Sequence, residues 1–263
     1  MKPPQASLIS ALIGFIAVSA PTAARVVTIS HSPRPLVDAM ETTRKLFHVP
    51  ITYEDTRYRN AKDLGPASEV IPQYTRLPLG MPVIRQHAIS FELQDPQPDS
   101  KADVKFKLAL ATMRSAVASS NRARGADLFG LVVSDGFIHV VRRGFIDRSA
   151  HFQREAGVLD SRISLHIDRN VGLDDAIDLI MSHQPKTAQK VEVGGYSAGL
   201  KPPLVAQPMD FKNVTIRDAL TTLSRKGFGR DGIEFTWQLL CDQGPVCSLT
   251  AETNPFAPDL PAE

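Results

Sequence analysis

The chain has 263 residues, with 30 Lys or Arg against 28 Asp or Glu, so its formal net charge is only +2. Such a balance gives no electrostatic reason to expect a nucleic acid or an anionic membrane as partner. With 43% hydrophobic residues the composition is that of an ordinary globular chain, long enough to bury one large core or two small ones.

The chain opens with a secretory pattern. Lys2 supplies the positive start, Leu8 to Ala20 the apolar run, and Thr22-Ala23-Ala24 the small residues before a cut at Arg25. Retention as a membrane anchor is the competing reading. The dense apolar run is shorter than the roughly 20 residues a span requires, and Pro3, Pro4 and Pro21 bracket it. No Cys lies near the cut to carry a lipid. Residues 1–24 are therefore expected to be a cleaved signal peptide, and the mature protein to be periplasmic or secreted, without a membrane span.

Four strand-helix-strand units follow. In the first, Val26 to Ile29 alternate as a strand, Leu36, Ala39, Met40, Thr43 and Phe47 recur at helical spacing behind Pro35, and Val49 to Tyr53 return as a strand. The prolines between Gly65 and Pro98 then mark a connection. In the second unit, Ile89 to Leu93 precede a helix with Phe106, Leu110, Met113 and Val117 on one face. Leu128 to Val133 and Phe137 to Val141 flank Asp135-Gly136, a dipeptide suited to a tight hairpin.

The third unit has Ile163 to Ile167 as a strand, a helix with Leu173, Ala176, Ile177, Ile180 and Met181, and Lys190 to Val193 extended. In the fourth, Met209 to Phe211 lead to Thr215, which can cap a helix facing inward through Ile216, Ala219, Leu220 and Leu223 and ending at Gly227. Ile233 to Leu240 and Val246 to Thr250 then form a hairpin. Cys241 and Cys247 sit at its facing positions and are expected to form a disulfide in an oxidising compartment. A metal or redox pair is the alternative, but five intervening residues do not make a C-x-x-C motif, and no His lies nearby.

Three helices open alike, as Leu36-Val37-Asp38-Ala39-Met40, Leu173-Asp174-Asp175-Ala176-Ile177 and Ile216-Arg217-Asp218-Ala219-Leu220. An acid in the first turn suits the helix dipole, and the alanine lets the helix sit close on a sheet. Good helix-start chemistry explains most of this pattern. Its recurrence after a strand and a turn points further, to copied modules.

On these residues a resemblance can be stated. Pro35 to Glu54, and more faintly Asn213 to Trp237, resemble the short N-terminal domain of secretins and signalling TonB-dependent receptors, with its Pro-Leu-x-x-Ala-Leu helix followed by a strand. From Pro35 to Thr250 the chain also resembles a family of exported bacterial proteins of uncharacterised activity, through Ile51-Thr52-Tyr53-Glu54-Asp55, the hairpin ending Ile138-His139-Val140-Val141, and Ile216-Arg217-Asp218-Ala219-Leu220 leading to Phe235-Thr236-Trp237-Gln238-Leu239-Leu240. The resemblance implies an envelope setting. It carries over no catalytic residue, and no barrel or ring-forming domain follows that would carry a pore or receptor role.

Reactive chemistry is thinly represented. Gly195-Tyr196-Ser197-Ala198-Gly199 matches the nucleophile-elbow pattern, but Pro202 and Pro203 block the helix an elbow needs, and no His follows Ser197. His166 and Asp168 fall on one strand face, and with Ser197 they compose the one hydrolase site worth naming; as a metal site they lack further ligands. His139 reads as a partly exposed hairpin residue. Glu54 and Asp55 point to opposite sides of their strand, so they cannot share one acid-base site. Asn213-Val214-Thr215 matches a glycosylation sequon, but the threonine is better explained as a helix cap. Arg122, Arg124, Arg142 and Arg143, with Arg148 beyond, form a basic cluster that is either a solvated edge or a patch for an anionic partner.

The expectation is an α+β protein of duplicated strand-helix-strand modules whose helices pack on small mixed or antiparallel sheets. Its parts are two halves, 25–143 and 162–252, a linker at 144–161 and a disordered tail at 253–263. The expected function is a non-catalytic binding or scaffold module of the bacterial cell envelope that takes a protein or peptide by strand addition, with no cofactor and no nucleic acid. The alternative is an exported hydrolase built on His166, Asp168 and Ser197.

Overall fold

The structure, a computed structural model, describes residues 24–55, 64–66, 82–147, 149, 151–185, 190–194, 204–227, 235–241 and 246–253. It is an α+β fold. The chain runs β1 (Arg25–Ser32), α1 (Pro35–Phe47), β2 (Ile51–Glu54), β3 (Leu64–Pro66), β4 (Pro82–Ile84), β5 (His87–Leu93), α2 (Ala102–Arg124), β6 (Phe129–Ser134), β7 (Phe137–Arg142), β8 (Gly144–Ile146) and β9 (Phe152–Arg154). It continues through β10 (Arg162–Ile167), α3 (Leu173–Ser182), β11 (Lys190–Gly194), β12 (Met209–Thr215), α4 (Ile216–Lys226), β13 (Phe235–Cys241) and β14 (Val246–Thr253). The segment read as a linker holds the small β8–β9 hairpin and a 3-10 turn at Val158–Asp160, and β14 runs one residue into the stretch read as a tail.

Local chemistry explains the element ends. Pro35 opens α1 where its missing N–H costs nothing. Thr215 accepts the Asp218 amide at 3.0 Å and so caps α4, a contact of about 1 kcal/mol. Asp135 and Gly136, with φ of 45° and 75°, take the left-handed pair of angles that lets β6 turn tightly into β7.

The strand pairings are the same in two runs of chain. β1 pairs with β5 as an antiparallel ribbon, and β10 pairs with β12 in the same way. Each strand that follows the first helix of its run, β2 or β11, lies parallel to the second strand of a later hairpin, β7 or β14. That strand in turn pairs antiparallel with its hairpin partner, β6 or β13. A parallel contact between β13 and β2 joins the two sets into one six-stranded sheet, ordered β11-β14-β13-β2-β7-β6.

Both faces of this sheet are covered, and the two sides alternate residue by residue along each strand. Ile51, Tyr53, Ile138 and Val140 join Leu36, Met40 and Met113 of α1 and α2 in one core. Phe137, Trp237, Leu239 and Leu249 join Ile177, Ile180 and Leu220 of α3 and α4 in the other. The helices of the two runs thus lie on opposite faces. Burial on both sides explains why β7 reads as the unbroken run Phe137-Ile138-His139-Val140-Val141-Arg142, with all six residues buried.

Candidate functional site

Most of the sheet's chemistry gathers where β2 lies between β13 and β7. At the carboxyl end of β2, alternation sends Glu54 to the α4 side and Asp55 to the opposite one. Arg217, in the first turn of α4, donates from Nε and Nη2 to both oxygens of Glu54, the second at 2.6 Å, and its Nη2 also lies 2.7 Å from Asp160 Oδ1 of the 3-10 turn. Burial raises the Glu54 carboxyl above its ordinary range, against the pull of the Arg217 hydrogen bonds and charge. For Arg217 burial favours release of the proton, but Glu54 and Asp160 outweigh it, and the guanidinium is held charged more firmly than usual.

Asp55 is also completely enclosed. Arg142 Nη1 donates to its Oδ1 at 3.1 Å, and Arg34 Nε to its Oδ2 at 3.4 Å. Arg34 also donates to the Cys241 carbonyl at 3.1 Å, and the Asp55 amide donates to the Leu239 carbonyl at 2.9 Å. Further along the seam Arg44 of α1 reaches Thr236 at 2.6 Å and Glu252 at 2.8 Å. The bonds of Asp55 to Arg142 and Arg34 lie within the first run of chain; the others connect the first run to the second.

Next to them, His139 is fully buried, which corrects its reading as a partly exposed hairpin residue. Its Nδ1 lies 2.8 Å from Thr52 Oγ1 and its Nε2 2.8 Å from Ser134 Oγ, and its ring packs with those of Phe137 and Trp237 in a cluster of three. Burial, helped by the Arg217 charge, lowers its pKa to about 3, so the ring is neutral at pH 7. A serine beside a histidine is half of a nucleophilic pair, yet here a hydroxyl holds the far nitrogen where a catalytic base is usually oriented by a carboxylate. A ring so reluctant to take a proton is a poor base.

The basic cluster read from the sequence is not a single surface. Arg142 is buried against Asp55 because β7 is covered on both faces, so, contrary to the sequence expectation, it is not part of a surface patch. Arg122 is exposed at the end of α2, and Arg124 is half-buried with Nη2 3.3 Å from His87 Nδ1. Burial and the Arg124 charge lower the His87 pKa to about 4. Arg143 is half-exposed, 3.6 Å from Asp127. Arg148 lies outside the described residues.

Of the hydrolase set, His166 sits on the outer face of the β10–β12 ribbon, with Nδ1 2.8 Å from Asp210 and Nε2 3.3 Å from Asp168. The bond to Asp210 raises its pKa against the opposing effect of desolvation, and the Asp210 charge and Asp168 add to the rise. Ser197 and its glycine loop lie outside the described residues, as do residues 1–23, read above as a leader, and 254–263. Cys241 and Cys247 are directly opposite in the β13–β14 register and form a disulfide.

An open cleft of about 730 Å³ is lined by Val132 of β6, Phe152 and Arg154 of the β8–β9 hairpin, Arg143 and Asp160. Sequence reasoning missed the cleft because β8 and β9 are three residues each. Among the described residues no cluster of three or more His, Cys, Asp or Glu could hold a metal ion, and no helix is long and apolar enough to cross a membrane. No family model matches the chain, and neither a curated protein nor a solved structure matches it, so its likeness to the short secretin and receptor domain rests on the motifs alone.

Proposed function

We propose that the protein is an exported, non-catalytic binding module of the bacterial cell envelope, which takes an extended segment of a partner protein or peptide along the edge of its central sheet. The observation that carries this reading is β6. Phe129-Gly130-Leu131-Val132-Val133-Ser134 contains no charge and no proline, two of the devices by which proteins commonly guard an edge strand. Val132 and Val133 are 40% and 48% exposed, and Val132 lines the open cleft beside the strand. The charged groups of the seam are used in bonds that hold the sheet together, which favours a supporting body over a reactive centre.

The disulfide and the leader-like N-terminus support a periplasmic or secreted setting. Strand addition takes its affinity from main-chain hydrogen bonds and its selectivity from alternate side chains. Hydrogen exchange of the Leu131 and Val133 amides, measured with a synthetic peptide of alternating Val and Thr, tests the reading. Exchange at both amides slows with peptide, and Val132→Lys abolishes the effect. Unchanged exchange at saturating peptide refutes edge binding.

A further inference from the structure

The two runs of chain meet head to tail, and among the described residues the manner of meeting leaves two complementary edges without a further strand. In the sheet, β13, β2 and β7 point one way, and β11, β14 and β6 the other. Going from one set, β11-β14-β13, to the next, β2-β7-β6, keeps the left-to-right order while reversing every strand and exchanging the faces that carry the helices. The two sets are thus related by a half-turn about the line across the strands combined with a step along that line.

The step joins the outer hairpin strand of one set, β13, to the post-helix strand of the other, β2. At the far edges stand β6, the counterpart of β13, and β11, the counterpart of β2. Among the described residues neither has a strand on its outer side. They point the same way, so a second copy placed beyond β6 without turning over brings its β11 alongside in parallel, as β2 lies parallel to β13.

The backbone supports the match. Asn121 of α2 accepts the Phe129 amide at 3.0 Å and donates to the Phe129 carbonyl at 2.9 Å, so these groups of Phe129 point away from β7. By alternation the backbone groups of Leu131 and Val133 point outward too. Leu131 is opposite Val140, as Leu239 is opposite Leu249, and Val140 and Leu249 are paired in turn with Tyr53 and Val193. Leu131 therefore holds in β6 the place that Leu239 holds in β13, and Leu239 is the residue whose outward carbonyl accepts the Asp55 amide. The internal register, Gln238 against Tyr53 and Leu239 against Glu54, transfers to Gly130 against Val193 and Leu131 against Gly194. In that register the Leu131 N–H meets the Val193 carbonyl.

We infer that the partner of β6 is β11 of a second copy of this chain, paired in parallel so that copies add head to tail. This rests on the strand-addition reading and names its occupant. A contact between two different surfaces of the same molecule does not stop at two copies; it closes a ring or continues as a filament.

Sedimentation velocity of the full purified chain tests this over about a hundredfold range of concentration. The expected result is a weight-average mass that climbs past a dimer with concentration, and Val132→Lys, at an already exposed site, weakens association at least about tenfold. Disulfide trapping fixes the geometry. An equimolar mixture of Leu131→Cys and Gly194→Cys chains gives a covalent dimer under mild oxidation that neither variant gives alone. A monomer at every concentration, or trapping within a single-variant sample, overturns the inference. Should the chain stay monomeric while the Val/Thr peptide still protects Leu131 and Val133, this inference alone falls; if the peptide also fails, both readings fall.

Discussion

The runs 25–142 and 162–253 have the same strand pairings but are stabilised by different means. The hairpin of the first, β6–β7, needs only Asp135 and Gly136 in a tight turn, whereas that of the second, β13–β14, carries a disulfide. The strand end of β2 carries Glu54 and Asp55, while its counterpart β11 ends on Gly194. β2 is the strand that sits at the joint, and the comparison assigns the Glu54 charge to the joint, where Arg217 of the second run meets it, while Asp55 is paired by Arg34 and Arg142 of its own run.

The largest expected effect comes from the charge that spans the joint. Arg217→Met leaves Glu54 buried without its partner, and removing one member of such a pair costs about 3–5 kcal/mol, read as a fall in the urea midpoint. Glu54→Met combined with Arg217→Met recovers much of the loss, since neither charge is then left alone. If Arg217→Met is neutral, the seam does not hold the two runs together.

Acid gives a finer probe of the same region. His139 titrates near 6.5 when unfolded and at about 3 in the fold. Between those values the unfolded chain binds a proton that the native chain refuses. Stability from this ring is complete above pH 6.5 and falls as pH drops toward 3, by about 1.4 kcal/mol per unit. His87, lowered to about 4, adds a second decline with the same sign above that pH. Urea midpoints followed from pH 7 to pH 4 for His139→Gln show a flatter decline than for the native chain; an equal slope places the acid sensitivity elsewhere.

The two hairpins sharpen the comparison at the smallest scale. Cys241→Ala with Cys247→Ala releases a short loop and costs about 2 kcal/mol. Gly136→Ala forces a side chain into a left-handed position against the Arg225 guanidinium, at about 1 kcal/mol. Thermal unfolding of the two variants ranks them in that order. The reverse order would mean that the turn, and not the bridge, is the stiffer device.

What the sequence made legible was local. The acid-started helices, the Thr215 cap, the Asp135-Gly136 turn and the cysteine register all depend on residues a few positions apart, where spacing alone fixes the geometry. The joint was not legible. Gln238 and Tyr53 meet across most of the chain in a contact only two residue pairs long, and Glu54 finds Arg217 from 163 positions away. Arg142 was misjudged for a related reason. A terminal arginine on a strand is ordinarily exposed, and nothing local tells that Asp55 waits beside it on a strand covered on both sides.

Because β2 is inserted between β13 and β7, the segment that crosses from Gly144 to Ser161 is not what keeps the halves in place. Its 3-10 turn is fastened by Asp160 to Arg217 and to the Gly157 amide at 2.8 Å, while the main join is made by hydrogen bonds elsewhere. A protease that nicks the chain in that crossing therefore leaves both fragments bound to each other, and new termini can be opened there without dividing the molecule in two.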